Sequence, residues 1–270
     1  MDEARLWRLK PQGRLSEFVD CLWIHESYGG AHARERVLPT ATVDLVFSHR
    51  PDRGAAATVA GPRSESVELD TSQPFSACGA HFKPGGASLF LRAPASEFRD
   101  RIVDLDLLWG PMAHSFGAQL WEAPTAKHRL RILEQTLQSR MSSESSGHPA
   151  VRYAVTVIER SAGTCPIGAV AGKIGLSSRR FLDLFRAEVG LSPKAFSRMR
   201  RFSAALAAID GTTEVDWTNI ALSCGYFDQA HFNHDFRSFC GLTPTQYLRD
   251  RASPTHVIVD RRRASGMRDS

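Results

Sequence analysis

The sequence predicts an α+β protein with a β-rich N-terminal domain, several following helices, and an all-α C-terminal domain. Three observations support this prediction. A pattern of two short helices joined by a glycine turn occurs twice in the C-terminal half. Short alternating segments separated by Gly and Pro occupy the N-terminal half. The two halves also differ in net charge.

The clearer copy of the pattern covers residues 220–247. A short helix is followed by a turn at Gly225 and by a second helix. Phe232, Phe236 and Phe239 recur at i, i+4 and i+7, which predicts an apolar face directed into a core. The opposite face is polar. The sequence therefore predicts a helix-turn-helix motif.

The same pattern covers residues 167–196. Phe181 precedes Phe232 by 51 positions, and the same interval separates Gly190 from Gly241. Phe185 and Phe236, and Pro193 and Pro244, repeat this interval. A repeated helix-turn-helix joined by one helix, predicted over about 193–209, is much more specific than a single match.

Together, the two copies, with G-L-S-P in the first and G-L-T-P-x-x-Y in the second, resemble the DNA-binding module of the AraC/XylS family of transcription regulators. The resemblance covers residues 151–251. It implies a bacterial, cytoplasmic, sequence-specific transcription regulator whose partner is double-stranded DNA. The second helix of each copy would enter one of two successive major-groove segments.

Charge and cysteine content agree with that expectation. Residues 1–149 carry 17 Lys+Arg and 18 Asp+Glu, whereas residues 150–270 carry 17 and 11, so the basic excess lies with the repeated motif. The five cysteines lack C-x-x-C spacing, which favours free thiols. No apolar run is long enough to predict a membrane span.

Strands are predicted in the N-terminal half at residues 43–47, 67–69 and 75–82. Helices are predicted from Ser96 to about Val103, from Trp109 to Trp121, and after Thr125 as N-cap. The motifs L-P-x-x-x-V-D-L-V-F and H-F-x-P-G-G-A are similar to the sensor-like N-terminal domain of a subset of AraC-type regulators. This resemblance implies a β-rich domain for which a cupin-like barrel is one candidate fold.

Four segments are predicted. Residues 1–137 form an effector-sensing or dimerisation domain, and Ser-rich residues 138–150 form a flexible linker. Residues 151–251 form the double helix-turn-helix domain. Residues 252–270 form a basic tail without periodicity, for which disorder is predicted.

The DNA-binding residues are predicted on the polar faces of the two second helices. Arg179 is expected to contact guanine and Gln229 to pair with adenine, whereas His234 and Arg237 are expected to reach phosphates. The predicted set is Ser177, Ser178, Arg179, Arg180, Asp183 and Arg186 in the first copy and Asp228, Gln229, Ala230, His231, Asn233, His234 and Arg237 in the second. Leu182 is also expected to be exposed on the same face of the first copy.

Two positions depart from the family pattern. Regulators of this type commonly carry Arg where this chain has Asp183 and His234. Asp183 could accept a hydrogen bond from cytosine or orient a neighbouring Arg, and it lowers the local affinity for phosphate. Gly168 and Gly172 lie inside the first short helix, where each costs about 1 kcal/mol relative to Ala.

Alternative interpretations remain open at this point. Aromatic residues at i and i+4 also occur in small helical cores, and His231 and His234 have a spacing that a metal could use. A cupin-like metal-dependent enzyme or a DNA-repair protein carrying this module is the alternative function. No catalytic residue, cofactor or metal site is predicted. Further candidate partners are a small-molecule effector, RNA polymerase and a second copy of the chain.

Overall fold

The computed structural model describes residues 5–28, 34–141, 147–210, 215–250 and 256–259. These residues form nine strands and eleven helices within the described ranges. The strands are β1 Arg5–Leu9, β2 Val19–Tyr28, β3 Arg34–Val37, β4 Asp44–Arg50, β5 Gly54–Ala60, β6 Val67–Asp70, β7 Phe75–Phe82, β8 Ile102–Asp104 and β9 His256–Val259. The helices are α1 Ser88–Leu91, α2 Asp106–Trp109, α3 Met112–Glu122, α4 Ala126–Arg140, α5 Pro149–Arg160, α6 Ile167–Gly172, α7 Ser178–Val189, α8 Pro193–Asp210, α9 Trp217–Ser223, α10 Gln229–Cys240 and α11 Pro244–Asp250. Two short 3₁₀ helices cover Gly13–Glu17 and Ala95–Phe98.

The N-terminal domain is built on a six-stranded antiparallel sheet with the order β1-β2-β7-β4-β5-β8. One face packs against α3 and α4 around Phe47, Phe116 and Leu133. The predicted β-rich domain with following helices is confirmed. Among the described strands β1 and β8 are not paired with each other, so this sheet is open rather than closed as a barrel.

One of the predicted helices was wrong. Residues 96–103 form the end of a 3₁₀ helix and then strand β8, not one α-helix. Asp100 has a φ of 57°, which interrupts a right-handed helix. Val103 then pairs with Val59 of β5. A long-range sheet contact therefore overrides the local helical pattern.

Helices α3 and α4 agree better with the helices predicted from the sequence. α3 begins at Met112 rather than Trp109 because Gly110, at a φ of 63°, ends α2 first. The predicted cap of α4 is confirmed, since the Thr125 side chain accepts a hydrogen bond from the backbone N–H of His128. Leu130, Leu133 and Leu137 form its buried stripe.

A second sheet contains β6, β3 and β9 in that order. β6 is antiparallel to β3, and β9 is parallel to it. The structure differs from the predicted disordered tail at these four residues, His256–Val259, because their backbone extends a sheet of the N-terminal domain. Residues 251–255 and 260–270 lie outside the described residues.

Seven helices, α5 to α11, surround a second core that includes Phe181, Phe196, Phe202 and Phe236. Leu38 and Ala41 from the N-terminal domain are also part of this core. The two domains therefore share buried apolar contacts. Between them, α4 continues to Arg140 and α5 begins at Pro149, while residues 142–146 of the predicted flexible linker lie outside the described residues.

Candidate nucleic-acid interface

Each helix-turn-helix motif forms as two helices and a glycine turn. α6 and α7 form the first motif, and α9 and α10 form the second. The turn glycines Gly175 and Gly225 have φ values of 71° and 77°, in the left-handed region that side chains other than Gly rarely adopt. Ala221 of α9 is completely buried, which allows close packing of the helices. By the usual convention α7 and α10 are the recognition helices.

The apolar faces of the recognition helices are held in the core, as predicted. Phe181 and Phe185 of α7 are buried, and Phe185 packs edge-on against Phe196 of α8. Phe232 and Phe236 of α10 are buried as well. This packing directs the opposite faces outward.

Most of the predicted DNA-binding residues lie on those outward faces. On α7, Leu182 is half-buried rather than exposed. On α10, Gln229 and Asn233 are half-buried. The exposed members of the set are Ser177, Ser178, Arg179, Arg180, Asp183, Arg186, Asp228, Ala230, His231, His234 and Arg237.

Two members of the set cap the recognition helices. The Ser177 hydroxyl accepts a hydrogen bond from the backbone N–H of Arg180 at 3.3 Å. The Asp228 carboxylate accepts one from the backbone N–H of His231 at 2.7 Å. These contacts satisfy N–H groups that a helix start leaves unpaired. The side chains therefore start and orient the helices.

Gln229 is connected to the first helix of its own motif. Its Oε1 accepts a hydrogen bond from Thr218 Oγ1 at 3.0 Å. A carboxamide oxygen has a second lone pair, and its nitrogen has two donors. Thr218 therefore orients the Gln229 side chain and leaves it able to make further hydrogen bonds.

His231 makes several contacts within the domain. Its ring packs edge-on against Tyr226 with centroids 5.3 Å apart. Its Nε2 lies 3.9 Å from Asp235 Oδ2, and its Nδ1 lies 3.5 Å from the backbone N–H of Phe227. Among the described residues, no group of three or more His, Cys, Asp or Glu side chains is placed to hold a metal ion.

The connecting helix α8 carries one partner of an ion pair that was not predicted from the sequence. Arg198 of α8 contacts Asp235 of α10 through two hydrogen bonds. The two residues are 37 positions apart, so no local pattern indicates the pair. The Asp235 side chain is 3% exposed, so it holds α10 against α8 and does not lie on the exposed face of α10.

Phe227 was also missed. It lies between the turn of the second motif and the N-cap Asp228, and it is 85% exposed. A large aromatic residue at this position is notable because its neighbours Tyr226 and Phe232 are buried. An apolar residue between turn and cap was visible in the sequence, but its exposure was not.

The helices that follow the recognition helices are capped by side chains. Ser192 Oγ accepts a hydrogen bond from the backbone N–H of Ala195 at the start of α8. Thr243 and Gln246 form a reciprocal capping box at α11, with Gln246 Oε1 accepting from the Thr243 backbone N–H at 2.9 Å. Each recognition helix is therefore followed by a helix whose start is capped by a side chain.

Comparison with known proteins separates the two halves of the chain. Residues 170–250 match the family model described as a helix-turn-helix domain, and residues 7–104 match a domain of unknown function (DUF6597). No described helix has the length and apolar character of a membrane span.

Two curated relatives are similar to part of the chain. The chain is 29% identical to the arabinose operon regulatory protein of Escherichia coli over 125 residues, which cover 44% of this chain and 42% of the relative. It is 32% identical over 87 residues to a probable bifunctional transcriptional activator/DNA repair enzyme AlkA of Mycobacterium tuberculosis, covering 32% and 17%. The chain therefore spans less than half the length of these relatives. A structural comparison with ToxT from Vibrio cholerae gives a TM-score of 0.39 at 9% identity, covering 91% of this chain and 97% of that chain.

The fold and the exposed helix faces define a helix-turn-helix protein with a β-rich N-terminal domain. Its C-terminal domain is a double helix-turn-helix domain, and the chain is similar to a regulator of the AraC/XylS type.

Proposed function

We propose that this protein is a sequence-specific, DNA-binding transcription regulator. The observation that carries the proposal is the repeated helix-turn-helix, in which buried Phe faces hold two recognition helices with their polar faces exposed. The continuous helix α8 joins the two motifs. Such an arrangement suits two successive major-groove segments on one face of double-stranded DNA.

The residues of the candidate interface divide into those that specify bases and those that contact phosphates. The guanidinium of Arg179 can form two hydrogen bonds to guanine, and the carboxamide of Gln229, which Thr218 orients, can pair with adenine. The exposed ring of Phe227 suits contact with the methyl group of thymine. His234, Arg237 and the remaining arginines of α7 contact phosphates in this proposal.

The N-terminal domain then modulates the DNA-binding domain through an effector or through dimerisation. Its contribution of Leu38 and Ala41 to the core of the DNA-binding domain supports a physical connection between the two. Control by an effector requires different affinities for two states of the protein. We place the protein in the cytoplasm, in contact with RNA polymerase at its promoters, and assign it recognition rather than catalysis.

The proposed function is tested by selecting bound sequences from a random duplex library with the full-length chain. The selected duplex is then titrated at two salt concentrations. We expect two short sequence blocks about one helical turn apart, each weakened by substitutions in one recognition helix. Binding that enriches no sequence and only weakens as salt rises would overturn the proposal, because it would show electrostatic contact alone.

A further inference from the structure

One short segment of the N-terminal domain lies against the C-terminal ends of both recognition helices. This segment, here called the strap, comprises residues 62–66, Pro-Arg-Ser-Glu-Ser, between β5 and β6. Its first residue contacts the end of α7 and its last residue contacts the end of α10. The strap therefore connects the two motifs by a route other than helix α8.

The contact with the first recognition helix is at Gly190, which caps α7 with a φ of 84°. A Cβ atom at this position would lie 2.6 Å from Pro62 Cγ and 2.9 Å from the carbonyl oxygen of Ala95. Such distances are too short for real contacts. Gly is thus required both by the left-handed backbone and by the close approach of the N-terminal domain.

The contact with the second recognition helix is made by hydrogen bonds. Ser66 donates its backbone N–H to the carbonyl oxygen of Phe239 at 2.9 Å and its hydroxyl to that of Cys240 at 3.0 Å. Arg36 Nη1 donates to the same Cys240 oxygen at 3.1 Å. The Arg36 guanidinium also forms an ion pair with Glu68, with Nη2–Oε1 at 2.6 Å. These donors satisfy carbonyl groups that the end of α10 leaves unpaired.

The middle of the strap is fixed to the N-terminal domain. Asp100 accepts hydrogen bonds from both the backbone N–H and the hydroxyl of Ser64, each at 2.6 Å. The Asp100 backbone N–H donates to the Pro62 carbonyl oxygen, and the Arg63 N–H donates to that of Thr40. The strap is therefore not a loose loop.

A segment this short limits the distance between the elements that it contacts. Five residues span at most about 17 Å when fully extended. Because its ends contact the termini of α7 and α10, the strap constrains their separation on the side opposite their N-caps. Helix α8 packs against both recognition helices. The strap adds a second connection at their C-terminal ends, which makes the relative orientation of the recognition helices more rigid.

We propose that the strap is a positioning element that sets which spacing between two DNA blocks the protein accepts. The inference rests on the proposed function, because it assigns a specificity to the same two recognition helices. It makes the N-terminal domain part of the spacing mechanism. Arg36 and Ser66 are positioning residues, since they act on α10 and are not assigned any contact with DNA.

The test compares full-length variants on a set of duplexes that carry the two selected blocks at different separations. Ser66→Ala alone and Arg36→Met/Ser66→Ala together remove side-chain donors to the Cys240 carbonyl. Arg53→Met/Ser72→Ala is the matched control, because it makes the same chemical changes at exposed positions in other turns of the same domain. Thermal unfolding shows which variants are folded, and the single substitution serves if the double variant is not.

We expect the control to keep the parent's preference for one spacing. In the strap variants, the ratio of affinities for the best spacing and for one base pair more or less should fall by about fivefold, corresponding to about one lost hydrogen bond. Sequence preference within each block should not change. A spacing profile identical to that of the control overturns the inference. Failure of the parent to select two blocks is a different result, because it overturns the proposed function itself.

Discussion

The guanidinium of Arg198 donates two hydrogen bonds to the carboxylate of Asp235, with Nη2–Oδ1 at 2.6 Å and Nε–Oδ2 at 3.2 Å. Arg198 lies on the connecting helix α8 and Asp235 on the recognition helix α10. The hydrogen bond from Arg198 to Asp235 raises the pKa of the guanidinium above its ordinary value, so the arginine stays charged. The bidentate geometry fixes the rotation of α10 about its own axis relative to α8.

Removal of either partner should destabilise the protein, but by different amounts. Asp235 is 3% exposed and Arg198 is 34% exposed. Arg198→Met leaves a buried carboxylate without its partner and should lower the free energy of unfolding by about 3–5 kcal/mol. Asp235→Asn leaves a guanidinium that water reaches, and should cost roughly 1.5–3 kcal/mol.

Urea unfolding of both variants measures this difference, with Arg179→Met as the control because Arg179 is exposed on α7. A control within about 0.5 kcal/mol of the parent is expected. Equal costs for the two substitutions would show that burial of Asp235 does not determine the energy of the pair.

Arg179 should determine base preference at one position of the selected site. Arg179→Ala should weaken binding to that site by about 1–3 kcal/mol and relax the preference at a single base pair. Arg131→Ala, which removes an exposed arginine from α4 of the N-terminal domain, is the control and should bind as the parent does. Competition titrations with single-base variants of the site give both quantities. An unchanged preference at every position would remove Arg179 from the set of base-reading residues.

Thr218 should act through Gln229. Because Thr218 orients the Gln229 carboxamide, Thr218→Val should reduce the preference for adenine without creating a new preference. In a double-mutant cycle, Thr218→Val should have a smaller effect when Gln229 is already Ala. Additive effects of the two substitutions would indicate that the hydrogen bond has no role in recognition. Thr245→Val on the exposed face of α11 is the matched control.

The sequence predicted the parts of this structure that depend on local periodicity. The Phe faces of α7 and α10 repeat every three or four residues, and the cap of α4 depends on a neighbour within the same turn. Strands β1, β2, β3, β5 and β8 were not predicted. For β2 and β8, pairing depends on residues far away in the chain.

The same limit applies to the candidate site. The period of the buried residues predicted the exposed faces that carry Arg179 on α7 and His234 on α10. It did not predict the Arg198–Asp235 and Ser66–Cys240 hydrogen bonds that hold α10, because each joins residues 37 or more positions apart. Sequence period indicates which face is exposed, whereas long-range hydrogen bonds fix how that face is oriented.

The cysteines should differ sharply in reactivity. Burial raises the pKa of Cys21 and Cys240 to about 11 and that of Cys78 to about 12, so these thiols are almost fully protonated at pH 8. Burial also raises the pKa of Cys224. Cys165 is partly exposed. Ellman's reagent at pH 8 should therefore modify Cys165 rapidly and the other four only after unfolding.

The raised values also define a pH window for stability. A thiol with an ordinary pKa of 9.0 ionises in the unfolded chain before it ionises in the folded one. The unfolded state then binds fewer protons, and the free energy of unfolding falls as pH rises above about 9.

The control for the modification experiment is Cys165→Ser, which should lose the rapid reaction with Ellman's reagent and keep the slow one. Rapid modification of Cys78 in the native protein would contradict the buried environment described above.

Phe227 should recognise a thymine methyl group if its exposed ring faces the major groove in the complex. The test uses the selected duplex with each thymine replaced in turn by uracil, which removes only the methyl group. One replacement should weaken the parent by about 1 kcal/mol and leave Phe227→Ala unaffected, since the variant lacks the contacting ring. Leu222→Ala is the matched control, because Leu222 is an exposed apolar residue of α9 in the same motif and should keep the parent's sensitivity. If no uracil replacement distinguishes the parent from Phe227→Ala, the ring does not read thymine, and its exposure then requires a partner other than the bases.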